Sequence, residues 1–260
     1  MRIAGFVLVA LLAVVGTVAA LAPAQWAAAA VRDVTAGRID LAETTGSLWQ
    51  GEATVVLAAG TGPGAARASL PERLSWRLSP WQLLLGTVDL TVAHPSALAQ
   101  PLTVRVPLGG TTVIGATTLR LPASLLVGLG APFNTLRPGG QLSINWNRLQ
   151  VEPGKLTGTI NAEWQFASSA LTPVTPFGHY RLTTDGPYPG IRLLLSTLTG
   201  PLELTGNGTI GAGGRLRFEG IARPAPGTDP AVKNQLAGLI SLLGPRRDSE
   251  SATLKFGSER

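Results

Sequence analysis

From Arg38 to the C-terminus, apolar residues recur at every second position. Leu102, Val104, Val106 and Leu108 alternate with Thr103 and Arg105. Leu142, Ile144 and Trp146 alternate with Ser143 and Asn145, and Leu156, Ile160, Ala162, Trp164 and Phe166 share one parity of a third run. Side chains two apart lie on the same side of a strand, so each run has one apolar and one polar face. A chain that keeps this period for most of its length must bury sheet faces, which excludes a helical bundle. Gly and Pro number 32 and 20 and fall between the runs, as turns require. Glu152-Pro153-Gly154-Lys155 reads as a hairpin turn. Gly211-Ala212-Gly213-Gly214 reads as another, flanked by Pro201 to Ile210 and Arg215 to Ala222. Consecutive strands on short turns predict an antiparallel meander.

Two short helices are expected among the strands. One covers Pro122 to Leu129. The other opens on the cap signal Asp229-Pro230 and runs through Val232, Leu236, Leu239, Ile240 and Leu243 to Gly244. A last strand is expected over Ala252 to Phe256.

The N-terminus has a different pattern. Ile3 to Ala22 is an almost unbroken apolar run preceded by Arg2, with no further charge until Arg32. Its length suits a helix that crosses a bilayer. A secretory signal has a shorter apolar core and a small-residue cleavage site. Ala20-Leu21-Ala22 and Ala28-Ala29-Ala30 are the two candidate sites, so a retained anchor and a cleaved signal are both open, with the anchor as the expectation. Arg2 sets the N-terminus on the cytoplasmic side by the positive-inside bias. Pro23 and the Ala-rich stretch to Val34 predict a short membrane-surface helix. Within it Trp26 either sits at headgroup level or packs on the domain. The expected organisation is a signal anchor over 1–24, a membrane-proximal helix over 25–37 and a periplasmic β-rich domain over 38–260.

Several kinds of chemistry find no support in the sequence. Cysteine is absent, which removes disulfides, thiol nucleophiles and Cys-based metal sites. His94 and His179 have no ligand partner at metal spacing and read as surface residues. Asp89, Glu152, Glu163, Asp185, Glu203 and Glu219 stand singly, with no sign of a carboxylate pair. Gly206-Asn207-Gly208-Thr209-Ile210-Gly211 fits a dinucleotide fingerprint, but alternating strand rather than a helix follows it. Asn207-Gly208-Thr209 is only formally a glycosylation sequon. The net charge is +6, with basic residues scattered and no interleaved aromatics, so no nucleic-acid partner is expected. Catalytic, cofactor-binding and metal residues are expected to be none.

Four phrases stand out. They are Gly46-Ser47-Leu48-Trp49-Gln50-Gly51; Leu74-Ser75-Trp76-Arg77-Leu78-Ser79-Pro80-Trp81 with Leu83 to Gly86 behind it; Pro176-Phe177-Gly178-His179-Tyr180; and Thr199 to Gly208 followed by Phe218-Glu219-Gly220-Ile221-Ala222. In order and spacing, and with the N-terminal run, they resemble the type II secretion system protein N family over essentially the whole chain. The resemblance implies a non-enzymatic, single-pass inner-membrane component of the machine that exports folded proteins from the periplasm. Its partners would be other inner-membrane subunits or the outer-membrane secretin. A more distant likeness to AsmA-type proteins implies the alternative, a periplasmic β-scaffold that binds lipid.

The expected fold is mainly β: an N-terminal transmembrane helix, then a curved, largely antiparallel multi-stranded sheet, half-barrel-like, with one or two short helices. Trp49, Trp76 and Trp81 offer large apolar faces for structural or interaction roles. Core packing is the ordinary fate of such residues, and a binding role is the alternative. Gly46 and Gly51 suggest tight bends or close backbone approach. Arg77 and Arg105 fall on polar faces and read as solvated.

Overall fold

The computed structural model describes residues 17, 21–60, 62, 65–130 and 133–257. The expected transmembrane helix lies outside these, apart from Thr17 and the stretch from Leu21 onward. Among the described residues no helix is long and apolar enough to cross a membrane.

In chain order, α1 (Gln25–Val34) precedes β1 (Ile39–Gly46), β2 (Gln50–Ala58), β3 (Arg67–Ser69) and β4 (Leu74–Leu78). A five-residue helix α2 (Pro80–Leu84) leads to β5 (Thr87–Ala93), β6 (Leu102–Pro107), β7 (Thr112–Ile114) and β8 (Thr117–Pro122). A 3-10 helix (Ala123–Leu129) and α3 (Phe133–Leu136) connect to β9 (Pro138–Trp146), β10 (Leu149–Glu152), β11 (Lys155–Thr157) and β12 (Ile160–Ser169). Then come β13 (Gly178–Asp185), β14 (Ile191–Thr199), β15 (Leu202–Ile210), β16 (Leu216–Pro224), α4 (Pro230–Leu243) and β17 (Ala252–Gly257).

The expected single sheet is two open antiparallel sheets. One runs β1-β2-β4-β5-β6-β7-β10-β11, with β3 paired to β2; the other runs β17-β16-β15-β14-β13-β12-β9-β8. Three segments pass between them, β7 to β8, β9 to β10 and β11 to β12, each through a two-residue break. Ile114↔Leu149 and Thr117↔Trp146 keep one ladder register across the first two breaks. The Trp146 indole N–H spans the discontinuity to the Gly115 carbonyl at 2.9 Å. Period two continues through such a break unchanged, so the pattern alone shows one sheet. Loops cover the strand edges left at the junction. The Arg120 N–H donates to the Ala97 O at 2.7 Å, and the Tyr188 N–H to the Leu156 O at 2.9 Å. Covering these edges limits pairing with other chains.

The larger core lies on the second sheet. α4 is capped as its sequence demands, Asp229 Oδ1 accepting from the Ala231 N–H at 2.7 Å, with Pro230 at the first position. This aims Leu236, Leu239 and Ile240 at Leu202, Leu204, Phe218 and Leu254. The 3-10 helix occupies the site of the first expected helix. Its Leu125 joins Leu70 and Ala97 where the second sheet's connection meets the first sheet.

The first sheet is built around Trp76, which is 6% exposed and packs on Ala24 and Ala53. Its ring lies over Gly51, where an added Cβ would stand 2.8 Å from Cη2. Its indole N–H donates to the Leu48 O at 3.1 Å.

Three local expectations are corrected. Phe166 leaves the apolar face of β12, because the register slips between Gln165 and Ser168 and Phe166 adopts φ 52° at that bulge. Leu108 lies beyond the end of β6 and is exposed. His94 is buried rather than superficial, its Nδ1 accepting from the Ala97 N–H at 3.0 Å to close a turn.

The Trp76 slot predicts a coupled pair. Trp76→Ala is expected to cost about 3–5 kcal/mol. Gly51→Ala should destabilise on its own, and by less once the ring is gone. What then remains is its approach to the Thr45 O at 2.7 Å. Urea denaturation of both single variants and the double variant reads the coupling. Strictly additive costs would show that Gly51 does not serve the ring.

Candidate interaction surfaces

Each lone carboxylate singled out in the sequence meets a partner on the surface. Asp89 pairs with Arg105 at 2.8 Å, Glu163 with Arg181 at 2.8 Å, Glu203 with Arg223 at 3.1 Å and Glu219 with Lys255 at 3.2 Å. Asp185 pairs with Arg192, and Glu152 accepts from the Thr111 hydroxyl at 3.1 Å. Hydrogen bonds from Gln165 and Arg181 hold the Glu163 carboxyl below its ordinary range. Burial pushes the Tyr180 phenol above its own. These are cross-strand pairs of the sort that decorate a solvated sheet face. Among the described residues no group of three or more His, Asp or Glu could hold a metal ion. The dinucleotide-like glycines lie in β15, where Gly206 and Gly208 receive the Phe218 ring instead of opening a helix.

The four phrases converge in pairs. The first and second meet at the Trp76 slot, and the Leu78 N–H donates to the Trp49 O at 2.7 Å. Gly46, at φ 89°, is held where a Cβ would come within 2.5 Å of the Gln50 O. The third and fourth meet in the second sheet. Gly178 and Gly200 are in close backbone contact there, the Leu202 N–H donates to the Phe177 O at 3.0 Å and the Tyr180 hydroxyl to the Leu202 O at 2.9 Å. The Trp164 ring closes that corner edge-on to Phe177 at 5.5 Å.

The three candidate tryptophans part company. Trp76 is core, Trp49 is half-buried in the β1–β2 turn, and Trp81 is 76% exposed on α2. Ser79 Oγ accepts from the Gln82 N–H at 3.4 Å and Pro80 takes the first helical position. This local cap lets α2 form with none of its residues buried. Leu84 and Leu85 beside Trp81 are each 77% exposed. Leu108 is 84% exposed, and its N–H donates to the Gly86 O at 2.7 Å, which sets the β6–β7 turn against α2.

This apolar rim is the end of the first sheet that receives the incoming chain. The β1–β2, β4–β5 and β6–β7 turns all lie there. The Leu48 N–H donates to the Ala22 O at 2.8 Å, the Ala24 N–H to the Gly46 O at 3.3 Å, and Pro23 bridges to Ser47. Sequence reading missed the rim as a unit. The usable signal was Ser79-Pro80, a helix start followed by Trp81 and Leu83-Leu84-Leu85 with Gln82 as the one polar interruption.

A second apolar surface is a groove of about 290 Å³ on the second sheet, lined by Leu142, Trp164, Leu182, Leu195, Leu243 and Phe256 among others. Two wider hollows, of about 690 and 700 Å³, are mixed in character. One lies around Arg217 and Lys255, the other around Gln50 and Arg77.

These features define a two-sheet antiparallel β-protein whose recognisable phrases build its frame and whose exposed Trp81, Leu84, Leu85 and Leu108 gather at one rim. The chain belongs to the family of the type II secretion system (T2SS), protein N, whose family model matches residues 37–253. No curated protein and no solved structure matches it significantly. Membership supports a part in type II secretion, and so in protein transport, with other components of that system as partners.

Trp81→Ala should leave stability within about 0.5 kcal/mol of the parent, as an exposed position away from the core allows. Thermal unfolding of this variant beside Trp76→Ala checks the contrast. A large loss at Trp81 would mean that the ring supports the fold rather than facing outward.

Proposed function

We propose that the chain is a non-enzymatic, single-pass inner-membrane subunit of the type II secretion system. Ile3–Ala22 is retained as the anchor, the N-terminus is cytoplasmic and the β-domain is periplasmic. The domain takes part in export by contacting inner-membrane platform subunits, the outer-membrane secretin or both. The family match carries this reading. The packing of Ala24 and Ala28, both buried, argues against cleavage after Ala30. Cleavage after Ala30 would strip Ala24 from the Trp76 cluster and remove more than half of α1.

N-terminal sequencing of the mature protein is expected to begin at Met1. Crosslinking in cells followed by purification is expected to bring down at least one other secretion subunit. A start at Pro23 or Val31, or purification free of every secretion subunit, would overturn the respective part.

A second reading, a lipid-binding scaffold like the AsmA-type proteins, is favoured by the groove on the second sheet. Its volume stands at the lower bound of small-molecule sites. On that reading native mass spectrometry finds stoichiometric phospholipid on the domain, and Leu195→Trp, which fills the groove, removes it. A protein with no bound lipid would dispose of the scaffold.

A further inference from the structure

We propose that the rim formed by α2 and the β6–β7 turn is inserted in the interface of the same membrane that holds the N-terminal run, as a second contact besides the anchor. This rests on the anchor reading above.

The incoming chain and the rim are fixed to each other without a linker. Ala22, the last residue of the apolar run, accepts the Leu48 N–H at 2.8 Å, and the adjoining Trp49 O accepts the Leu78 N–H at 2.7 Å, one residue before the cap of α2. Strands lie about 4.8 Å apart, so α2 stands only two or three strand spacings along the rim from the point of emergence. A helix that leaves the bilayer at Ala22 therefore carries Trp81 and Leu84 to the depth of the headgroups.

The chemistry of the rim suits that depth. Residues 80–85 are exposed without interruption and include one Trp and three Leu. Among the described residues no hydrogen bond engages the Trp81 indole N–H. An exposed ring with a free N–H is the side chain that settles at a membrane interface. No acidic residue occurs between Leu74 and Val88, and the one charge there, Arg77, is exposed and forms no ion pair among the described residues. An unpaired guanidinium beside an apolar tip is complementary to lipid phosphate. Leu108 extends the patch laterally, held by its bond to Gly86. Elsewhere exposed apolar residues such as Phe166 and Leu194 stand on strands that also carry paired charges, whereas residues 80–85 carry none, and a contiguous apolar surface of this kind marks a contact.

The absence of cysteine makes the test direct. Full-length protein carrying a single nitroxide at Leu84→Cys, Leu108→Cys, Ser96→Cys or Leu11→Cys is reconstituted alone into vesicles of phosphatidylethanolamine and phosphatidylglycerol. Collision with oxygen is then compared with collision with a water-soluble nickel chelate. Ser96 lies in the β5–β6 loop, at the far end of the seven-residue β5, which spans about 23 Å. The expected result is an oxygen-to-nickel ratio at Leu84 and Leu108 several-fold above that at Ser96, with Leu11 higher still. Leu11 in the bilayer with Leu84 and Leu108 as aqueous as Ser96 overturns the rim contact and leaves the anchor standing. Nickel access at Leu11 overturns both. Spin–spin broadening at Leu84 that vanishes on dilution with unlabelled protein assigns the rim to a second copy and also overturns the proposal.

Discussion

The rest of the first sheet depends on one indole laid over one glycine. Trp76 can reach the plane of β2 only because Gly51 has no side chain, and once there its N–H takes the carbonyl of Leu48. That bond fixes the β1–β2 turn, and the turn in turn pairs with Ala22 and Pro23. The ring's other side receives Ala24, from the residue just before α1. A single buried side chain thus sets the pairing of β2 with β4, the position of the first helix and the point where the N-terminal segment meets the domain. Burial of a large aromatic surface supplies the energy, and the lone indole donor supplies the direction.

The same device recurs in the second sheet with different residues. Phe218 lies on Gly206 and Gly208, Gly178 and Gly200 meet backbone to backbone, and Trp164 donates to the Gly139 O at 2.8 Å beside Phe177. The phrases that carry the resemblance therefore meet largely through ring-on-glycine and glycine-on-glycine contacts. Such contacts tolerate little change, because any side chain at the glycine would displace the ring. Trp81 is the exception. It belongs to the same phrase as Trp76 yet touches nothing that would hold it in the frame.

Much of this was legible in the residues. The hairpin at Pro153-Gly154, the Gly-rich turn after β15 and the capped helix after Asp229 each follow from local chemistry that leaves few choices. Gly46 and Gly51 were readable as points of close approach, but the ring that would lie over Gly51 was not. What could not be read depends on partners distant in the chain. The division into two sheets hangs on breaks that leave the alternation intact. The outward turn of Phe166 hangs on a bulge that Gly140 makes room for, across the strand pair. The ion pairs join residues up to 36 positions apart, such as Lys255 with Glu219. The two tryptophans of one phrase differ only in what the fold sets opposite them.

That difference also bears on the two apolar surfaces. The groove on the second sheet lies under Leu243 of α4 and is bordered by side chains that already pack on the core, so part of its apolar area is satisfied within the protein. The rim has no such cover. A six-residue exposed segment carrying Trp81 and three Leu would be a solubility liability on a domain free in water, and the start of α2 is secured by Ser79 and Pro80 rather than by burial of any of these side chains. Their retention makes physical sense where the rim meets something apolar. The tie between Ala22 and Leu48 puts the end of an apolar run of bilayer length beside it. The geometry that builds the first sheet around Trp76 is thus also what brings Trp81 to the side of the domain from which the chain would enter a membrane.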